Sequence, residues 1–282
     1  MSTPVLTAIN FYPVKSLTGC TADEAFVEPW GLAGDRRWML ADDNGHMITQ
    51  RQDARLALAA AQPLPGGGVR LSAPGREPLD VTVPDPAGQG TVTVQLFRDK
   101  IEGVPAGPEA DAWLSGYLDG PARLLHMDDP ATRRQIDREY ANEGETVSFA
   151  DGYPLLVTTL SSLDTLNGLI AEGDHPEEGP LPMNRFRPNL VVDNTAPWAE
   201  DDWRRVRVGE VTFRAVKLCS RCIVTTTDQR TAERGKEPLR TLARHHRIGK
   251  GVIFGTNLIP EHTGVVRVGD DVEILDRLDQ VG

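Results

Sequence analysis

The stretch from residue 57 to 98 limits the fold more than any other part of the chain. Short β-favouring runs occur around Leu58, at Val69 to Leu71, at Leu79 to Val83 and at Thr91 to Phe97. The segments Pro63 to Gly68 and Pro84 to Gly90 separate them with turn residues. This punctuation leaves no space for helical crossovers, and short strands so spaced belong to a sandwich or barrel. The residues before it agree. Val5 to Tyr12 alternates as a strand, and Pro13 takes it off the sheet, leaving Lys15 and Ser16 on a strand-end loop suited to an anion. Ala25 to Glu28 is a short strand. A flexible loop from Gly31 enters the strand Trp38 to Ala41, and the Asn44-Gly45 turn returns through Met47 and Ile48.

Helices are few. Pro108 to Leu118 carries Trp113, Leu114, Tyr117 and Leu118 at helical spacing, with Gly120 at its exit. Ser161 to Asp164 offers a capping box for a helix that places Leu163, Leu166 and Ile170 on one face. A third helix begins at Pro238. Between the first two, Asp128 to Gly152 is polar and reads as a connection or mobile loop, with Arg133 and Arg134 solvated. Later strands are Pro154 to Thr159, Leu190 to Val192 and a hairpin about Gly209. Val266 to Leu275 repeats the hairpin idiom, and Gly249 to Gly255 reads as a loop with Phe254 exposed. The fold class is mainly β with a few helices (α+β), and 282 residues suffice for one or two domains.

A net charge of −11 argues against general nucleic-acid binding, which needs a positive surface. Locally, Arg36, Arg37 and Arg51 make one region basic. No apolar run approaches the roughly 18–20 residues that cross a bilayer, and no export signal is evident, so a cytoplasmic protein is expected. Three cysteines would leave one outside any disulfide framework.

Two of them, Cys219 and Cys222, lie in a β-branched run from Val216 to Asp228 that favours a strand. A thiol–disulfide motif fits poorly, because Ile223 to Thr227 resists helix. Structural zinc or an iron–sulfur cluster lacks ligands. Two readings stay open: buried packing thiols, or one thiolate on a metal whose other ligands come from a cofactor.

Five segments stand in a telling order: Tyr12-Pro-Val-Lys-Ser16, Gly34-Asp-Arg-Arg-Trp38, Arg185-Phe-Arg-Pro-Asn189, Cys219-Ser-Arg-Cys222 and Lys236-Glu-Pro-Leu239. They resemble MOSC-domain proteins, specifically the mitochondrial amidoxime reducing component and its bacterial relatives. The resemblance implies an N-terminal MOSC-type β-barrel domain over 1–125 and a MOSC β-barrel domain over 126–282. It also implies a molybdenum cofactor (molybdopterin), with Cys222 as the metal ligand and Cys219 merely packing. Lys15, Ser16 and Arg36 would hold the cofactor phosphate. Arg187, Asn189, Ser220 and Arg221 would contact the pterin, and Asp151 matches an acidic position near the metal, for proton delivery or substrate orientation. The implied activity is reduction of N-hydroxylated compounds (amidoximes, hydroxylamines, N-hydroxylated bases), with a cofactor carrier or sulfur-transfer module as the alternative. Electrons would come from a separate ferredoxin-like or cytochrome b5-like protein with its reductase. Neither nucleic acid nor membrane is expected as a partner.

Overall fold

The computed structural model describes residues 3–278. Its largest sheet has nine strands. In spatial order these are Cys20–Ala22, Val5–Phe11, Leu190–Asp193, Leu155–Thr159, Gly251–Pro260, Val211–Ser220, Trp203–Val208 and Val272–Arg277, with Arg247–Ile248 paired to the side of Gly251–Pro260. The first strand of the chain therefore joins a sheet built mostly from residues after 155. Alternation explains the half-buried members: Trp203, Val206 and Val208 face the core while Arg205 and Arg207 face solvent. Leu155–Thr159 is buried along its whole length. It pairs in parallel with Leu190–Asp193, through the crossover helix Leu160–Ala171 that a parallel pair requires.

Most of the rest of the first half forms a five-stranded sheet and a three-stranded one, while Glu24–Glu28 and Gly31–Leu32 make a second three-stranded sheet with Gly264–Arg267. The strand Trp38–Ala41 pairs with Arg123–His126 in the five-stranded sheet, and Ala60–Pro63, Val69–Ala73 and Arg76–Val81 make the first three-stranded one. Helix Pro108–Leu118 packs Trp113 and Leu114 onto the core of Trp38, Leu40, Val69 and Leu71. The mainly β, α+β class expected from the sequence is the one observed.

Several local expectations are corrected. The strand near Leu58 is a 3-10 turn over Ala54–Leu58, followed by the strand Ala60–Pro63. The left-handed exit of the first long helix is Asp119 rather than Gly120. The cap of helix Leu160–Ala171 is Thr159, whose hydroxyl accepts from the Ser162 N–H, while Ser161 bonds Thr195. Val266 to Leu275 is not a hairpin. Gly264–Arg267 pairs with Glu24–Glu28, and Val272–Arg277 pairs with Trp203–Val208. Non-local partners overrode the local idiom.

Phe254 is fully buried, stacked on Phe186 with ring centroids 3.8 Å apart, inside the continuous strand Gly251–Pro260. Gly255 does not mark a loop. Its φ of +79° and the 2.6 Å from a built Cβ to the Val157 carbonyl show a strand position where only glycine lets two backbones approach. Segment 128–152 is likewise no solvated connection, since Ile136, Val147 and Phe149 are buried. Substituting Phe254→Ala removes half of an aromatic stack and is expected to destabilise the fold by about 3–5 kcal/mol. Urea unfolding checks this; a change below about 1 kcal/mol would show that the stack contributes little.

Candidate cofactor site

The strand Val5–Phe11 ends at Tyr12, whose backbone N–H donates to Asp35 Oδ1 at 2.7 Å. Lys15 N–H donates to the Trp38 carbonyl at 2.8 Å, so the Lys15 loop is pinned beside the Arg36 loop. Arg36 is ion-paired to the buried Asp35 at 2.5 Å and donates to Asn189 Oδ1 at 3.0 Å. Asn189 in turn accepts from the Leu156 N–H and donates to the Asn10 carbonyl, so both ends of its amide are engaged by protein. The Arg36 and Arg187 guanidinium groups both lie 4.2 Å from the Tyr12 ring centroid. Strand Val211–Ser220 arrives from the other side. A register shift between Leu218 and Ser220 interrupts its ladder, and the chain leaves the sheet at Arg221, whose N–H still reaches the Val252 carbonyl. Cys222 then caps a 3-10 turn, Ile223–Thr226, where the sequence predicted more strand.

These elements enclose one cleft. It offers about 130 Å³ to the centre of a water-sized sphere, within about 850 Å³ of empty space that includes its open mouth. Lys15, Ser16, Arg36, Asp151, Arg187, Asn189, Ser220, Arg221 and Cys222 all line it, so every residue expected at the site is brought together there. Cys219 lines it too, and its Sγ accepts from Arg221 Nη1 at 2.9 Å. Arg51, noted only as part of a basic region, lies at the cleft 3.7 Å from Asp151. Its neighbour in that reading, Arg37, turns away and donates to the Met127 carbonyl at 2.7 Å. The Lys236–Leu239 motif is absent from the cleft lining; Lys236 and Glu237 donate backbone N–H groups to Glu178.

Three of the lining residues, Ser16, Arg36 and Arg187, hold positive φ of 70°, 47° and 55°. Left-handed backbone costs a non-glycine residue about 1–2 kcal/mol, so the fold holds these loops in place against local preference. No residue type signals this, because none of the three is glycine.

Arg134 is the clearest reversal. Expected in solvent, it is 6% exposed. Its guanidinium pairs with Asp99 and donates to the carbonyls of Ser148, Ala150 and Asp151 at 3.2, 2.6 and 3.1 Å. One buried cation thus fixes the loop that carries Asp151.

Charge in the cleft is strongly biased. Lys15 Nζ donates to Asp151 at 2.5 Å and to the Phe149 carbonyl at 2.9 Å. Burial pulls its ammonium down to about 8, against the opposing pull of Asp151. The surrounding protein opposes the Asp151 charge only in part, since its side chain is largely exposed, and Lys15, Arg51 and Arg36 together hold its carboxyl well below the usual range. Burial also lowers Arg187, to about 10. Arg221 Nε is buried with no partner among the described residues. Surplus cations, an orphaned guanidinium N–H and soft thiols facing one cleft suit an anionic, metal-bearing group.

Family models match the two halves: "MOSC N-terminal beta barrel domain" over residues 3–121 and "MOSC domain" over 144–273. The chain belongs to the MOSC family. It is 31% identical to Mitochondrial amidoxime-reducing component 1 of Homo sapiens, over 94% of this chain and 81% of that one. The same protein from Mus musculus is 31% identical over 94% of this chain and 80% of the relative. Molybdenum cofactor sulfurase of Oryza sativa is 27% identical over 98% of this chain, which spans 35% of the larger protein.

Two outcomes are expected. In an NMR titration, Lys15 should deprotonate near pH 8. Asp151→Asn should lower that midpoint, since it removes the carboxylate that favours the charged form; a midpoint at the ordinary lysine value in the parent protein would contradict the site's electrostatics. Replacing Arg134 with Met should raise amide hydrogen exchange selectively across residues 148–152, leaving Leu155–Thr159 protected.

Proposed function

We propose that this MOSC protein is a molybdenum-cofactor-dependent reductase that removes oxygen from N-hydroxylated compounds. The observation that carries the reading is the placement of Cys222 in the same cleft as Lys15, Arg36, Arg187 and Arg221. When bound, the molybdenum cofactor would supply the two-electron chemistry that takes oxygen from nitrogen and releases it as water.

The chain's residues have distinct tasks in this reading. Cys222 is the protein's thiolate ligand, and the extended backbone at that residue presents it from a strand end rather than a helix. Lys15, Arg36 and the Ser16 loop hold the phosphate, where charge-assisted bonds are about twice as strong as neutral ones. Arg187, Ser220 and Arg221 flank the pterin. Asn189, with its amide engaged by Arg36, Leu156 and Asn10, holds Arg36 in place for the phosphate. Asp151 stays a carboxylate through neutral pH, so it orients substrate rather than supplying a proton of its own. Its side chain is 71% exposed at the mouth, where a small substrate would arrive. The two segments 1–125 and 126–282 act as the two walls of the cleft: Lys15, Ser16, Arg36 and Arg51 come from the first, and the remaining site residues from the second.

Electrons would come from a separate ferredoxin-like or cytochrome b5-like protein with its reductase. No helix among the described residues is long and apolar enough to cross a membrane. The similarity to a molybdenum cofactor sulfurase supports a second reading, a carrier or sulfur-transfer module that holds the cofactor without turnover.

Protein made in a host competent for the cofactor tests both. Molybdenum is expected near one equivalent by elemental analysis, falling severely in Cys222→Ala and mildly in Cys219→Ser. Full retention in Cys222→Ala rejects the ligand assignment. Loaded protein that fails to reduce an amidoxime or hydroxylamine with a chemical reductant favours the carrier.

A further inference from the structure

Arg37 belongs to one of the motifs that suggested the site, yet its side chain lies outside the cleft. It lines a different cavity of about 330 Å³, inside the range of about 300–1,000 Å³ common for small-molecule sites. We propose that this cavity, between Arg37 and His126, is a second small-molecule site that takes a compact carboxylate with an apolar body.

The polar end comes from two side chains. Nε and Nη2 of Arg37 are occupied by the Met127 carbonyl, which fixes the guanidinium plane, while Nη1 has no hydrogen-bond partner among the described residues. A guanidinium edge held rigid on one side and open on the other is suited to an anionic oxygen. His126 is 5% exposed and lines the same cavity, its ring 4.5 Å from that of Trp38. Neither of its ring nitrogens is bonded to the described protein, and Nδ1 is buried without any partner. Burial and the neighbouring Arg37 push its imidazole down to about 4, so at neutral pH it offers one donor and one acceptor. Buried polar groups without partners are uncommon in native structures.

Glu28, Asp128 and Asp129 lie near Arg37 and favour its charge, but the first two already accept hydrogen bonds from other side chains. Asp128, on the cavity wall, is bound through both oxygens to Arg133 at 2.9 and 2.8 Å. Glu28 accepts from Trp30 Nε1 at 2.7 Å. The remaining wall is apolar, with Val69 and Val83 from the three-stranded sheet and its extension. Such a wall suits a hydrocarbon or aromatic body and excludes a bare inorganic anion as the best ligand. The inference does not depend on the activity proposed for the cleft.

The test uses the full chain with its imidazole nitrogens labelled, titrated with benzoate, phenylacetate and cyclohexanecarboxylate, and with benzamide as the neutral isostere. At least one carboxylate should saturate the His126 signals below about 10 mM, and should bind at least about tenfold more tightly than benzamide. Arg37→Met should weaken that carboxylate at least about tenfold. His126→Phe, which keeps an aromatic ring beside Trp38, should weaken it too and serves alone if Arg37→Met fails to fold. Arg187→Met, in the cleft, should leave it unchanged. No saturation by any of the three overturns the proposal. So does binding that survives both cavity variants, or binding lost in Arg187→Met, which would place the anion in the cleft.

Discussion

A single buried carboxylate holds the two halves of the site in register. Asp35 is 1% exposed and accepts from the Tyr12 N–H and from Arg36, which reaches on to Asn189. Asn189 ties to Leu156 and Asn10. Four separated stretches of chain therefore meet at one polar network inside an otherwise apolar junction. Burial raises the Asp35 carboxyl, and the Arg36 guanidinium with the Tyr12 N–H works against that. A pair so buried adds little net stability compared with an apolar replacement, but losing one partner leaves an uncompensated charge at about 3–5 kcal/mol. Such a network specifies geometry more than it stabilises.

The consequence is a cleft whose cations cannot relax away from one another. Arg36 and Arg187 share the Tyr12 face, and Arg221 is restrained by the Phe186 carbonyl and Cys219. Ser16, Arg36 and Arg187 are held in left-handed conformations that a free loop would leave. Preorganisation of this kind lets an anionic group bind without first reordering its donors. Arg134 extends the principle to the mouth, where it secures the backbone under Asp151.

Part of the site was legible because its chemistry is carried by residue type, and the rest was implied by the family resemblance of five motifs in order. Lysine and arginines beside a proline-stopped strand, and a cysteine pair in a β-branched run, can be recognised without coordinates. What escaped was orientation. Arg36 and Arg37 are adjacent, yet one enters the cleft and the other a separate cavity, where the Met127 carbonyl holds it. Phe254 sits among glycines that read as a loop, and only the proximity of Val157 shows why glycine is needed there. Arg134 lies in a polar stretch, and its burial depends on carbonyls 14 to 17 residues away.

The sequence by itself determined the mainly β class, the positions of most strands and helices, and which side chains carry charge or sulfur. These follow from local preferences: turn residues, alternation and side-chain chemistry act within a few residues. The tertiary structure alone decided that Gly264–Arg267 and Val272–Arg277 find different partners, that the first strand crosses into the large sheet, and that Arg133 pairs with Asp128 while its neighbour Arg134 is buried on backbone carbonyls. Those outcomes turn on which distant backbone groups are left to be paired. No local pattern holds that information.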